Sequence, residues 1–515
     1  MHFASGVKRA MSELELTTQF DRRLLMLGLD AFSLPFVIDN RDRLPTLSRL
    51  LNEGEVRNLS SPGARMSDSV WPTFSTGLQP GDHGQYFPFQ WDGAQKRYRR
   101  IADPHWSADL HSQPFWHRVA HAGHPTIAFD IAHSLHDQNA PCLQITNWCG
   151  QSSADAKSSH PEVLRDIKRR FGRRPIGPEV PVPKTARQCA AIRDQLVHAV
   201  RAKAAATRHL MKRPWALFVT GWYEAHRAGH NLWPVDGEFA SDASPDAMLK
   251  VYEEVDRQLG GLLDEIDNHQ INTSLLVFSL HSMAPNRAQD HFLGEILQRL
   301  NALYLGQPSV RSMKPKALNA MAYLRHALPS TLQYRTAGIL GERTQDWVVN
   351  RALLAGRDWD ASPAFQILSG GEGLVRLNVK GREQPGYFEA GSDEMAKYVG
   401  WLIDRLSLIT VSKTGRPLIK GIAKVDEVLP GSRRHFLPDL IIDWAPEEPV
   451  TAIRSPDIGE IEVQLATGRG GNHNGSAFVI ARGDEEVRRL AAACNDIADL
   501  SLLAESFFLG SRASL

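Results

Sequence analysis

The sequence predicts an α/β protein built on one central, mostly parallel sheet with helices on both faces. Two observations predict it. Short apolar runs of strand length recur along the chain, separated by stretches of helical period, and repeated helix-then-strand units of this kind assemble into parallel sheets. Three of these runs also lead directly into residues able to bind a metal, at the carboxyl ends where such sheets hold their ligands.

The elements follow in order. "LLMLGLD" (24–30) reads as a buried strand ending in Asp30, and "RLPTLSRLLNEG" as the next helix, closed by Gly54. "PTIAFDIA" (125–132) follows the helix-like "FWHRVAHAG". "WALFVTGW" (215–222) follows a long Ala/Arg-rich helix beginning near Thr185, and "SLLVFSLH" (274–281) follows another long helix containing "MLKVYEEVDRQLGGLLDEI". Residues 302–360 break the rhythm with a helical, basic, strand-poor stretch that reads as an insertion or cap. Strand signals resume with "GLVRLNVKG" (373–381), "LPDLIIDW" (437–444) and "SAFVIARG" (476–483). The expected organisation is therefore an N-terminal extension (1–22), a first core segment (23–301), the insertion (302–360) and a second core segment (361–515).

Composition limits the function classes. With 515 residues, 42% of them hydrophobic, the chain can fill a large core. Its 59 basic and 58 acidic side chains nearly cancel, so the electrostatic footprint of a nucleic-acid binder is missing. The local "KRR" at 168–170 reads as a solvated helix face. The cysteines, Cys142, Cys149, Cys189 and Cys494, form no CxxC pair, which fits reduced cytosolic usage. The first residues hold no apolar core of signal-peptide length, and nothing reaches the roughly 18 uninterrupted apolar residues of a membrane span. A cytoplasmic protein with no membrane partner is expected, with Met11 as a candidate start.

Chemistry concentrates in a few places. "YEAHRAGHNLWP" sets His226 and His230 four residues apart, on one face of a helical turn, a spacing that zinc sites use. His473 stands in the glycine-rich "GRGGNHNG", where a bulky imidazole has little core to fill. Asp30 and His281 close strands. "SDSVWPTFSTGLQPGDHG" (67–84) gathers hydroxyls ahead of a turn and a histidine. By itself it reads as a loop of turn-forming residues.

Together these pieces resemble the alkaline phosphatase superfamily, and within it the type I phosphodiesterase/nucleotide pyrophosphatase branch. The matching segments are "LGLDA" (27–31), "SDSVWPTFSTGLQPGDHG", "YEAHRAGH" (223–230), "FSLHSM" (278–283), "VRLNVKGRE" (375–383), "LPDLIIDW" and "GNHNG" (471–475), in the family's order and over nearly the whole chain. The element from Trp71 to Gly84 is the specific one. The resemblance implies an alkaline-phosphatase-like fold and a two-metal site acting on small phosphate esters. It makes Ser67, nine residues before Thr76, the nucleophile, with Ser69 as the second candidate. It implies that Asp30, Ser67 and His281 face one metal and His226, His230 and His473 the other.

The chain departs from its relatives in two places. The usual Asp-x-x-x-His has become His226-x-x-x-His230, which keeps a ligand and makes a three-histidine set normal for zinc. The usual Ser-Asp-His-Gly has become Ser279-Leu280-His281-Ser282, which loses a carboxylate. A weakened second metal, a single-metal enzyme or a replacement ligand all fit, with Glu224, Asp130 and His133 as candidates for the last. Glu224 also reads as a group that orients a histidine. Zinc is expected over magnesium, with manganese and iron as further candidates. Two function classes follow: a metal-dependent phosphate ester hydrolase, diesters before monoesters, or a phosphoryl-type transferase or non-hydrolytic descendant, which Leu280 keeps open. No Cys/Ser-x-Pro-x-Arg element of the sulfatase kind occurs. Specificity is expected from 133–160 and 302–360. Trp148, Asn147, Trp222 and Tyr223 are candidate pocket residues, though core packing is the expected role of each Trp.

Overall fold

The structure, a computed structural model, describes residues 22–101, 113–150, 155–177, 184–234, 242–268, 272–307, 361–463 and 469–510, with a few isolated positions between 344 and 354. Its strands include, in chain order, β1 (Arg23–Leu29), β2 (Glu55–Leu59), β3 (Thr126–Phe129), β4 (Leu143–Thr146), β5 (Lys157–Ser158), β6 (Leu217–Trp222), β7 (Thr273–Ser279), β8 (Ser282–Pro285), β9 (Ala364–Gln366), β10 (Gly373–Leu377), β11 (Ile419–Lys424), β12 (Leu440–Trp444), β13 (Gly471–Asn474) and β14 (Ala477–Arg482). Eight of them form the main sheet in the order β2-β14-β7-β1-β6-β3-β4-β5. The stretch β7-β1-β6-β3-β4 is parallel throughout, while β14 and β5 run antiparallel to their neighbours.

All seven residues of β1 are buried, and β6 and β7 are almost as completely covered. Strands covered on both faces become continuous apolar runs, which is why these three are so plain in the sequence. The covering helices include α1 (Pro45–Glu53), α2 (Val70–Thr76), α3 (Ala186–Met211), α4 (Glu224–Leu232) and α5 (Ala247–Asn268). α3 starts at a reciprocal cap in which Thr185 and Gln188 satisfy each other's backbone N–H.

Register then sets the site. Gly28 lies opposite both Gly221 and Phe278, so β1, β6 and β7 finish at the same height and release Asp30, the α4 turn and His281 together. Gly28 is there for space: a Cβ on it would meet the Trp71 ring at 2.7 Å. Trp71 thereby seats α2, and the serine turn before it, on the sheet's carboxyl edge.

β10 and β12, whose segments read as strands, pair antiparallel in a second sheet, ordered β9-β10-β12-β11, with a core of its own that includes Phe292, Ile296, Val375 and Tyr398. β14 does join the main sheet, as a strand from the same C-terminal part of the chain. Met66, just ahead of Ser67, packs with Phe365, Ile367, Leu374 and Ile441, so the serine turn lies where the two sheets meet. The stretch 302–360 lies mostly outside the described residues, and 302–307 only complete the helix Leu293–Tyr304 and its last turn.

Candidate metal centre

The serine turn is built by local hydrogen bonds. Ser69 Oγ donates to Met66 O, Thr73 Oγ1 to Ser69 O, Ser75 Oγ to Trp71 O and Thr76 Oγ1 to Pro72 O. Each of these hydroxyls is therefore committed to the backbone. Ser67 Oγ is buried and, among the described residues, faces the Glu372 carboxyl without a hydrogen bond of normal geometry; its own N–H donates to Glu372 Oε1 at 3.0 Å. Of the two candidate nucleophiles, Ser69 is tied down and Ser67 is not.

His83 holds the turn from behind. Its Nδ1 accepts from the Gln85 N–H at 3.0 Å, which leaves the proton on Nε2 to donate to Thr73 Oγ1, also at 3.0 Å. Gly77 and Gly84, at φ 76° and 71°, make the left-handed turns that close the helices on either side. Burial pushes the His83 imidazole down to about 3, whereas an unfolded histidine titrates near 6.5. The unfolded chain therefore takes up the extra proton, so this stabilisation is complete above about pH 6.5 and is lost as the pH falls toward 3. Between pH 7 and pH 5 the native protein is expected to lose about 2 kcal/mol more than a His83→Gln variant. Parallel denaturant titrations at the two pH values measure this, and equal losses would remove the role given to His83.

Each predicted ligand can be placed. Asp30 follows β1, its N–H bonded to Trp222 O. Its Oδ2 lies 2.5 Å from His226 Nδ1 and its Oδ1 accepts from Trp71 Nε1 at 2.7 Å. His226 and His230 project from α4, every residue of which is buried. His281 follows β7, its carbonyl accepting from Ser279 Oγ, and its Nδ1 is 3.8 Å from Asp30 Oδ1. His473 arrives on β13, which pairs with β8 so that it stands opposite Met283.

These side chains meet. His226 Nε2 lies 2.9 Å from His230 Nε2 and 2.8 Å from His473 Nε2, and ligand atoms of His226, His281 and His473 all fall within 4.8 Å of one another. The two groups the resemblance implies are thus not cleanly separate, because His226 joins the histidines to Asp30 and His281 closes on His473 as well.

The tautomers show what the centre asks for. The Asp30 carboxylate accepts a hydrogen bond from His226 Nδ1–H, and Gly471 O accepts one from His230 Nδ1–H at 3.0 Å. In neutral rings both Nε2 atoms are then bare lone pairs aimed at each other, which repel unless a cation lies between. Protonation is disfavoured at His230, His473 and His281. Burial, followed by Arg469 and His226, holds His230 well below its ordinary range; burial and the neighbouring histidines do the same to His473. His281 is lowered to about 4 by burial, with Asp30 opposing. Burial pushes Asp30 up, but His226, His281 and Trp71 together bring it below the usual carboxylate value. A divalent metal fits this donor set, since zinc takes neutral imidazoles at about 2.0–2.1 Å and a carboxylate behind one of them fixes its tautomer.

Two of the suggested replacement ligands, Asp130 and Glu224, have partners of their own. Asp130 accepts from the Trp148 and Cys149 N–H groups and pairs with buried Lys203. Glu224 receives the Cys149 thiol. His133 instead lies 3.5 Å from Asp68. Trp148, Trp222 and Tyr223 are core residues. Two residues beside Ser67 went unnoticed in the sequence, Asp68 and Glu372. The available signal was a lone acid inside the glycine-rich "SGGEG" (369–373). Burial, and then Asp68, raise the Glu372 carboxyl.

The main sheet and the donors gathered at its carboxyl edge define an alkaline-phosphatase-like fold. The profile of the Type I phosphodiesterase / nucleotide pyrophosphatase family matches residues 24–398, and the chain belongs to that family, which makes it a phosphoester hydrolase at family level. Phosphonoacetate hydrolase from Sinorhizobium meliloti 1021, in complex with phosphonoacetate, is similar at a TM-score of 0.50 and 14% identity, covering 94% of this chain and 95% of that one. Murine ectonucleotide pyrophosphatase / phosphodiesterase 5 gives 0.47 and 13% over 95% of each chain. At such identities the likeness is one of fold. A comparison with curated proteins found no match. No helix among the described residues is long and apolar enough to cross a membrane.

Proposed function

We propose that the protein hydrolyses small phosphate esters, diesters or pyrophosphates before monoesters, with Ser67 as nucleophile and zinc held by His226, His230 and His473. The observation that carries this reading is the meeting of the bare Nε2 atoms of His226 and His230, with His473 Nε2 alongside. A bound cation supplies charge neutralisation on the phosphoryl oxygens and a lower pKa for the attacking hydroxyl. The chain's residues do the rest. Ser67 Oγ attacks phosphorus as the bond to the leaving group breaks, and water later cleaves the phosphoserine. Asp30 fixes His226 in one tautomer while Trp71 fixes Asp30, and His83 keeps the serine turn in place. Manganese or iron would suit the nitrogen set less well than zinc.

The transferase reading rests on Leu280, buried in the main core where relatives carry an acid. The four described cysteines are buried and unpaired, which supports a reducing compartment such as the cytoplasm.

Elemental analysis, followed by assays on nitrophenyl phosphate mono- and diesters and on phosphonoacetate, tests the reading. Bound zinc and faster diester release are expected. A metal-free protein that zinc, manganese and iron all fail to activate would reject it. Release that requires an acceptor alcohol instead of water would select the transferase.

A further inference from the structure

We propose that Glu372, together with Asp68 and the Ser67 hydroxyl, holds a second divalent cation of the oxygen-preferring kind, so that the second sheet supplies the carboxylate that position 280 lacks. The proposal rests on Ser67 being the nucleophile.

Position 280 has no oxygen to offer. The Leu280 side chain is 1% exposed within the main core, and its carbonyl already accepts from Ser61 Oγ at 2.6 Å. An oxygen-lined space lies nearby, at Gly370. A Cβ there would stand 3.0 Å from Ser67 Oγ, 3.3 Å from Glu372 Oε2 and 3.5 Å from Asp68 Oδ2. The backbone at Gly370 is not in the left-handed region, so its conformation does not call for glycine. The space does.

Charge points the same way. Glu372 is half-buried, accepts from the N–H groups of Ser67 and Gly370, and makes no ion pair with any described residue. Its charged neighbours include two more acids, Asp68 and Asp290, with Arg469 acting on Asp290, and Asp68 lies 3.5 Å from His133. Half-buried carboxylates gathered this closely repel one another unless a cation or a proton answers them. Ser67 Oγ, buried and without a normal hydrogen bond, borders the same space.

The donors decide the ion. Two carboxylates and a hydroxyl are hard oxygen ligands, suited to manganese or magnesium, whereas the histidine group a short way off is a nitrogen set suited to zinc. The protein would thus carry two different metals, the harder one beside the nucleophile.

Zinc-loaded full-length protein titrated with manganese(II), followed by electron paramagnetic resonance and elemental analysis, tests this. The native chain is expected to hold one manganese beside its zinc. Glu372→Gln keeps the shape but only one of the two backbone N–H contacts, because an amide nitrogen cannot accept, and should weaken manganese at least about tenfold while zinc content stays as in the native protein. Gly370→Ala, which fills the space from another residue, should do the same. The proposal is overturned if the zinc-loaded native protein takes up no manganese, or if both variants bind it with native affinity. A protein that binds manganese through Glu372 yet hydrolyses no phosphate ester would keep the cation site and reject the hydrolase reading instead.

Discussion

Replacing Ser67 by alanine is expected to abolish turnover on every accepted phosphate ester, by several orders of magnitude, while zinc and fold persist. The scale is that seen when an activated nucleophile is removed. The structure explains why the loss should be selective. Ser67 Oγ makes no normal hydrogen bond that holds the turn together, whereas the Ser67 N–H to Glu372 contact survives in alanine. Ser69→Ala should behave in the opposite way. Its hydroxyl closes the turn on Met66 O at 2.7 Å, so its loss costs about 1 kcal/mol of stability and a modest part of the rate. Paired rate and unfolding measurements on the two variants separate the roles. If Ser67→Ala turns over near the native rate, attack by a different nucleophile or by water must replace the covalent route.

What could be read in advance, and what could not, follows from the range of each signal. β1, β6 and β7 were plain because strands covered on both faces become unbroken apolar runs. His226 and His230 were plain because a helical turn fixes their spacing. The second sheet was not, since the apolar runs in β10 and β12 announce strands without saying which sheet receives them. Glu372 was invisible for the same reason on a larger scale: it bonds to Ser67 across 305 positions of chain, and a single acid in a glycine-rich loop has no period. Asp130 looked like a spare ligand only because Lys203, the buried partner that occupies it, lies on a distant helix.

His226→Ala should strip the centre of zinc, with ester hydrolysis falling at least about a hundredfold, because no other side chain joins its parts in the same way. Its Nε2 faces both His230 and His473, and its Nδ1 faces Asp30. Removing it leaves the Asp30 carboxylate buried with the Trp71 N–H at 2.7 Å and His281 at 3.8 Å. His226→Asp asks a finer question, since it puts in place the residue that the resemblance to the family implies there. A carboxylate at 226 can bind metal but cannot donate a proton to Asp30, so two buried acids would confront each other until a cation arrives. The expected result is an apo protein that unfolds at a lower temperature than native apo protein, and that gains more from added zinc, since a ligand that binds only the folded chain stabilises it with the logarithm of its affinity. Thermal unfolding of both forms, with and without zinc, measures the difference. An apo His226→Asp protein as stable as the native apo protein would mean that the bond between His226 and Asp30 does not hold the centre together before the metal binds.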